Sequence, residues 1–255
     1  MEGGALLSDW WVEFSKDVVP YLNVTTRLED SSDTHVFGQI GGTGFPTTVF
    51  MDHTGAVLTD SWMYPGELKT LEEAKAEALE NLAELDELRA QAAKNPDDKA
   101  AQGALKLALA LRHSGSLTRE EFEAIAKLNG VPRSLVERYR TQLLVEELEA
   151  AQKVAGESAT SREEFTAAVG EAFYAIFKSG KRLPIDHEMA TGLYGYAMDH
   201  ALEIGDGATA EAAFLEFEKA MNLAAEENPD AKERIDAQVD EKRQAVKSMV
   251  SGGAK

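Results

Sequence analysis

The chain has 255 residues, of which 44% are hydrophobic and 28% charged, a composition typical of a folded protein with room for two domains. Its net charge of −19 argues against binding to nucleic acid or to anionic membranes, because both require clustered lysine and arginine. The absence of cysteine excludes disulfides, thiolate metal sites and a cysteine nucleophile.

Nothing in the sequence reads as a membrane or export segment. No uninterrupted apolar run approaches the ~18 residues of a transmembrane helix. The start, MEGGALLSDWW, lacks the basic region and apolar core of a signal peptide. We therefore expect a cytoplasmic protein from the sequence as given, or a periplasmic or secreted one if a leader is missing from it.

The first predicted element is a helix over Asp9–Tyr21, in which apolar residues recur at helical spacing. Trp10 and Trp11 are adjacent in it and cannot both point inward from one helix face. Core packing is the simplest role for these rings. Together with Trp62 they are also our candidates for an exposed interaction surface.

The most distinctive stretch is Gly38–Leu58, GQIGGTGFPTTVFMDHTGAVL. Its segment Thr47–Met51 is β-branched and apolar, as expected of a buried strand. Asp52 and Gly55 supply the residues of a tight turn, and the strand pattern resumes at Ala56. The stretch therefore predicts a β-hairpin.

This run resembles the C-terminal half of a thioredoxin-like domain, whose members carry a similar G-(F/V)-P-T-x-(V/L)-F-x-D-x-x-G pattern. The resemblance implies an α/β fold with a cis-proline loop formed by Gly44, Phe45, Pro46 and Thr47. It is fairly specific over these residues, is looser from about residue 10 to residue 88, and indicates a fold more than an activity.

In that family the helix starting near residue 9 would carry the redox cysteines, and the resemblance places them at Ser8 and Trp11. The chain has no cysteine at either position, so no dithiol–disulfide exchange is expected. Ser8 is a plausible helix N-cap without any redox ancestry.

The front of such a domain is missing, because fewer than ten residues precede the first helix and cannot form a β-α-β unit. Strands at Asn23–Glu29 and Thr47–Met51 would then face a gap with unpaired backbone groups. Direct pairing of the two strands, exchange of elements in a homodimer, and donation of a strand by a partner would each close it. A truncated or degenerate domain is the remaining alternative.

From Thr70 onward the pattern is helical, with a capping box at Thr70 and Glu73 followed by an Ala/Leu/Glu-rich run. The stop at KNPDD suggests a domain boundary after residue 95. The predicted architecture is thus a thioredoxin-like α/β partial domain of three strands and flanking helices over residues 1–95. An all-α domain of helical hairpins is predicted over residues 96–255.

Two patterns hint at repeated helical pairs in the second half. Arg-Glu-Glu-Phe occurs at 119–122 and again at 162–165, each time after a hydroxyl residue that can cap a helix. The spacing of alanines and aromatics over residues 197–220 is similar to that of a tetratricopeptide hairpin, although His200 and Ala225 depart from that motif.

Residues suited to chemistry are few. The five histidines lie on separate predicted elements and form no H-x-x-x-H pair, so neither a metal site nor a cofactor is predicted. Aromatic residues at 173–177 and 194–196 could line a groove between helical hairpins, but a core role is favoured for them.

Two function classes follow. The first, which we favour, is a non-catalytic thioredoxin-like protein acting as a protein-interaction or scaffold module, whose acidic surface suits a basic protein or peptide. The second is a divergent or truncated thioredoxin-like oxidoreductase or a glutathione-transferase-like enzyme. Such transferases can use Ser or Tyr to activate a thiol. However, the Ser-Asp pair that usually binds the glutathione carboxylate in that family appears here in reverse order, as Asp60-Ser61.

Overall fold

The structure is a computed structural model that describes residues 9–20, 40, 48–59 and 68–252. The chain divides into two compact units, residues 1–139 and 140–255. In the described residues all regular elements are helical. They are α1 (Asp9–Phe14), α2 (Leu68–Lys94), α3 (Lys99–Leu111), α4 (Arg119–Ile125), α5 (Arg133–Ser158), α6 (Arg162–Lys178), α7 (Ala190–Ile204), α8 (Gly207–Glu227), a 3-10 turn (Pro229–Ala231) and α9 (Lys232–Gly252).

The prediction of a thioredoxin-like α/β domain is wrong. The described residues contain no strand and no sheet, only an isolated antiparallel bridge between Met51 and Val57. The predicted strand at Thr47–Met51 is not formed over its described residues. The predicted strand at Asn23–Glu29 and the cis-proline loop lie outside the described residues.

Hydrogen bonds to neighbouring helices explain why residues 48–59 turn back without joining a sheet. The backbone N–H of Val57 donates to the carbonyl of Arg112 at the end of α3, at 2.9 Å. The side-chain amide of Asn81 on α2 donates to the carbonyl of Leu58, also at 2.9 Å. Two backbone groups that a neighbouring strand could satisfy, at Val57 and Leu58, are thus satisfied by residues of helices. Completion of the sheet by a donated or exchanged strand stays a prediction.

The turn predicted at Asp52 is present. The Asp52 carboxylate accepts hydrogen bonds from the backbone N–H groups of Thr54 (2.7 Å) and Ala56 (3.0 Å), and Gly55 adopts φ of +87°. Arg89 on α2 donates to the same carboxylate at 2.6 Å, and the Asp52 side chain is only 1% exposed. The turn is therefore attached to α2 by an ion pair that is largely shielded from water.

Two predicted helix ends differ from the observed ones. The first helix ends at Phe14 and not at Tyr21. The second begins at Leu68, so Thr70 lies inside the helix and is not its N-cap. Residues 95 and 96 both lie in the first unit, and separate folding of 1–95 and 96–255 stays a prediction.

The second unit has an extensive apolar core. Helix α7 packs against both α6 and α8, and its Leu193, Tyr194, Ala197, Met198 and Ala201 are fully buried. The residues whose spacing is similar to that of a tetratricopeptide hairpin lie on α7 and α8, and Ile204, which that spacing would place in the core, is 52% exposed. Helix α9 then covers part of α8.

None of the described helices combines the length and the apolar composition that crossing a bilayer requires.

Candidate functional site

A groove of about 500 Å³ runs between α6 and α7 in the second unit. Its lining comes from one face of each helix at spacings of three, four and seven residues, as the helical repeat requires. Helix α6 contributes Arg162, Glu163, Thr166, Ala167 and Gly170, and α7 contributes Tyr196, Asp199, His200 and Glu203. The groove combines small side chains, one aromatic ring and several charges.

The start of α6, where the groove begins, is fixed by a double cap. The Ser161 hydroxyl accepts from the N–H of Glu164 at 3.1 Å, and the Glu164 carboxylate accepts from the N–H of Thr160 at 2.7 Å. The backbone and hydroxyl hydrogen bonds from Thr160 lower the pKa of Glu164. The first turn of α6, which carries Arg162 and Glu163, therefore has a defined position.

A glycine brings the two helices close together at the floor of the groove. A Cβ atom placed on Gly170 would lie 3.4 Å from Cβ of His200 and 3.6 Å from the carbonyl of Tyr196. The Tyr196 ring is held edge-on against Phe173, with ring centroids 5.8 Å apart. Small residues on α6 thus make a shallow floor, and Tyr196 forms part of its wall.

His200 lies beside this floor with its Nδ1 atom buried and without a hydrogen-bond partner within the described part of the chain. Its ring is 5.2 Å from that of Tyr174, whose hydroxyl donates to Asp206 at 2.8 Å. The imidazole is therefore positioned by packing on both sides, against Gly170 and against Tyr174.

Asp206 fixes the connection between α7 and α8. Its carboxylate caps α8 through the N–H and hydroxyl of Thr209 and also accepts from Lys178 at 2.9 Å. Hydrogen bonds from Lys178, then Thr209 and Tyr174, hold the pKa of Asp206 well below its usual range. Since every oxygen is engaged in these contacts, we assign this cluster a structural role.

The charged groups in the groove are not equally engaged. Asp199 is bridged by Lys242 of α9, whose Nζ lies 2.6 Å and 2.8 Å from the two carboxylate oxygens. Glu163 and Glu203 are exposed and form no ion pair with any residue that the structure describes. The groove therefore presents two carboxylates that can accept a cation from outside.

A metal centre finds no support in the described residues, where no three His, Asp or Glu side chains are grouped to bind one. The groove has a small apolar floor, and its lining carries three carboxylates, Glu163, Asp199 and Glu203, against one cation, Arg162. An excess of carboxylates favours contact with positively charged groups.

Of the predicted interaction residues, the structure brings Trp10 and Trp11 together in the first unit. Both rings are half-buried and stack on Phe14, with centroid distances of 4.8 Å and 5.6 Å. Trp10 donates to Glu72 at 2.7 Å and lines a second groove of about 400 Å³. The tryptophan surface stays a prediction.

The other predicted site residues lie outside the described residues: Ser8, Gly44, Phe45, Pro46, Thr47 and Trp62. The resemblance to the thioredoxin-like fold was the basis for placing degenerate redox positions at Ser8 and Trp11, and the described residues do not form that fold.

The aromatic residues expected near a groove separate into two groups. Phe173, Phe177 and Tyr194 are core residues, as favoured, whereas Tyr196 lines the groove. Sequence reasoning missed Glu163 and Glu203. A helical projection would have found them, because Glu163 shares a face of α6 with small residues and Glu203 shares a face of α7 with Tyr196.

The chain is not placed in a family by comparison with known proteins. No protein-family model matches it, and neither any curated protein nor any solved structure matches it significantly.

Proposed function

We propose that this chain is a non-catalytic protein-interaction module that binds a lysine- or arginine-bearing peptide segment in the groove between α6 and α7. The observation that carries the proposal is that two carboxylates on the rim of a 500 Å³ groove, Glu163 and Glu203, form no ion pair with any described residue. A basic segment would supply the cations that these groups lack.

The charge of the whole chain supports this partner class. A net charge of −19 attracts basic segments and repels acidic ones, which favours rapid encounter with the former. The local groove then selects among basic segments, because its shallow floor at Gly170 admits a chain that lies flat along the helices.

The proposal can be tested with a displayed library of random peptides. We expect peptides selected on the wild-type protein to be enriched in lysine and arginine. Their affinity, measured by fluorescence anisotropy, should fall about tenfold in the double variant Glu163→Gln/Glu203→Gln, since two charge contacts of roughly 0.5–1 kcal/mol each are lost.

A matched control is Glu171→Gln/Glu211→Gln, which removes the same charge from exposed positions that do not line the groove. This variant should bind within about twofold of wild type, because distant exposed charges are screened by salt. Equal losses in both variants, or selection of peptides without basic residues, would contradict the proposal.

A further inference from the structure

Lys242 gives the groove two chemically different ends. It reaches from α9 to Asp199 with both carboxylate oxygens within 2.8 Å of Nζ, and its side chain is 25% exposed. One of the three carboxylates in the groove is therefore already neutralised by the protein itself.

The position of the remaining carboxylates follows from helix geometry. Glu203 lies one turn beyond Asp199 on α7, about 6 Å along the axis. Phe177 contacts Tyr194 and Tyr174 contacts His200, so a lower position on α6 meets a higher position on α7 and the two helices run antiparallel. Glu163 lies about 10 Å from Gly170 along α6 and is thus at the same end as Glu203.

We propose that Lys242 is a specificity-determining residue of the groove. Its ammonium group occupies the place at Asp199 that a partner's cation would take. A basic segment is then accepted through Glu163 and Glu203 at one end, while uncharged side chains lie over Tyr196 and Gly170 at the other. This inference rests on the proposed function and adds to it the arrangement of charge that a partner must have.

The test uses a fluorescein-labelled alanine-based helical peptide with lysine at every fourth position, which offers a cation to each end. Lys242→Gln should tighten binding about three- to fivefold, because it frees Asp199 for the peptide. The variant Asp199→Asn/Lys242→Gln, which restores the wild-type net charge, should return the affinity to that of wild type.

Lys232→Gln is the matched control, since Lys232 lies on the same helix, pairs with Asp236 at 3.3 Å and does not line the groove. It changes the net charge by the same amount and should alter affinity by less than about 1.5-fold. Helical circular dichroism verifies that each variant is folded.

The outcomes separate the two ideas. If Glu163→Gln and Glu203→Gln each weaken binding of the probe but Lys242→Gln behaves like Lys232→Gln, the proposed role of Lys242 is wrong. The proposal that the groove binds basic segments is then retained. If binding is absent, or does not depend on Glu163 and Glu203, the proposed function itself is overturned.

Discussion

Asp52 is the residue on which the turn at residues 52–55 depends. Burial of its carboxyl raises the pKa, but hydrogen bonds from Thr54, Arg89 and the N–H of Ala56 outweigh this and lower the pKa to about 2. The folded-state pKa is thus below the ordinary value of 3.8. The resulting stabilisation is fully present above pH 4 and is lost as the pH falls towards 2.

We therefore expect Asp52→Asn to lower the free energy of unfolding by about 2 kcal/mol at neutral pH, with the difference disappearing near pH 2. Urea unfolding followed by tryptophan fluorescence measures this, since Trp10, Trp11 and Trp62 all belong to the first unit. Asp86→Asn is the control, because Asp86 contacts the same Arg89 but is 60% exposed. An Asp86 effect as large as that of Asp52 would show that burial is not the cause.

At the scale of the helices, two interior glycines differ in what surrounds them. Gly192 in α7 has no neighbouring atom within 4 Å of the place where a Cβ would stand. At Gly103 in α3 the same Cβ would lie 3.0 Å from Cγ2 of Ile125, which is buried on α4. The two positions share a backbone conformation and differ in available space.

Gly192→Ala should raise the free energy of unfolding by about 0.5–1 kcal/mol, because alanine favours the helix more than glycine does. Gly103→Ala should lower it by about 1 kcal/mol, because crowding against Ile125 exceeds the same gain. Urea unfolding monitored by circular dichroism for Gly192→Ala and by tryptophan fluorescence for Gly103→Ala gives both values. Stabilisation of similar size by both changes would contradict the packing argument.

The repeated Arg-Glu-Glu-Phe sequence shows how far local sequence determines an element. At Thr118 and at Ser161 the hydroxyl caps the following helix, and in each case a glutamate at the third helical position completes the contact. The phenylalanines then differ: Phe122 is 2% exposed, while Phe165 is half-buried at the edge of the second core. Capping is encoded locally, whereas burial depends on distant neighbours.

For the whole molecule, the same distinction explains what could be predicted from the sequence. Helix positions in the second half followed from caps and periodicity, which are local signals. The strand predicted at Thr47–Met51 is not formed over its described residues, because β-branched residues fit any extended segment. The segment that follows it is held by Arg112 and Asn81, which bond to Val57 and Leu58. Apart from helical spacing, nothing in the sequence indicated that Glu163 and Glu203 line a groove.

Because α7 lies at the centre of the core of the second unit, we expect it to be the last helix to separate from its neighbours. Six residues of α7 are fully buried, whereas the buried residues of α9 in the described chain are Ile235, Val239 and Val246. We expect amide hydrogens of α7 to exchange with solvent only when the whole unit opens, and those of α9 to exchange earlier through local opening.

Hydrogen-exchange mass spectrometry would measure this order as a difference in rates between peptides from the two helices. Equal rates would mean that the unit opens in a single step. With the expected order, α9 leaves first and takes Lys242 with it. Asp199 is then briefly without its cation while α6 and α7 are still assembled, so the charge in the groove would vary in time as well as along its length.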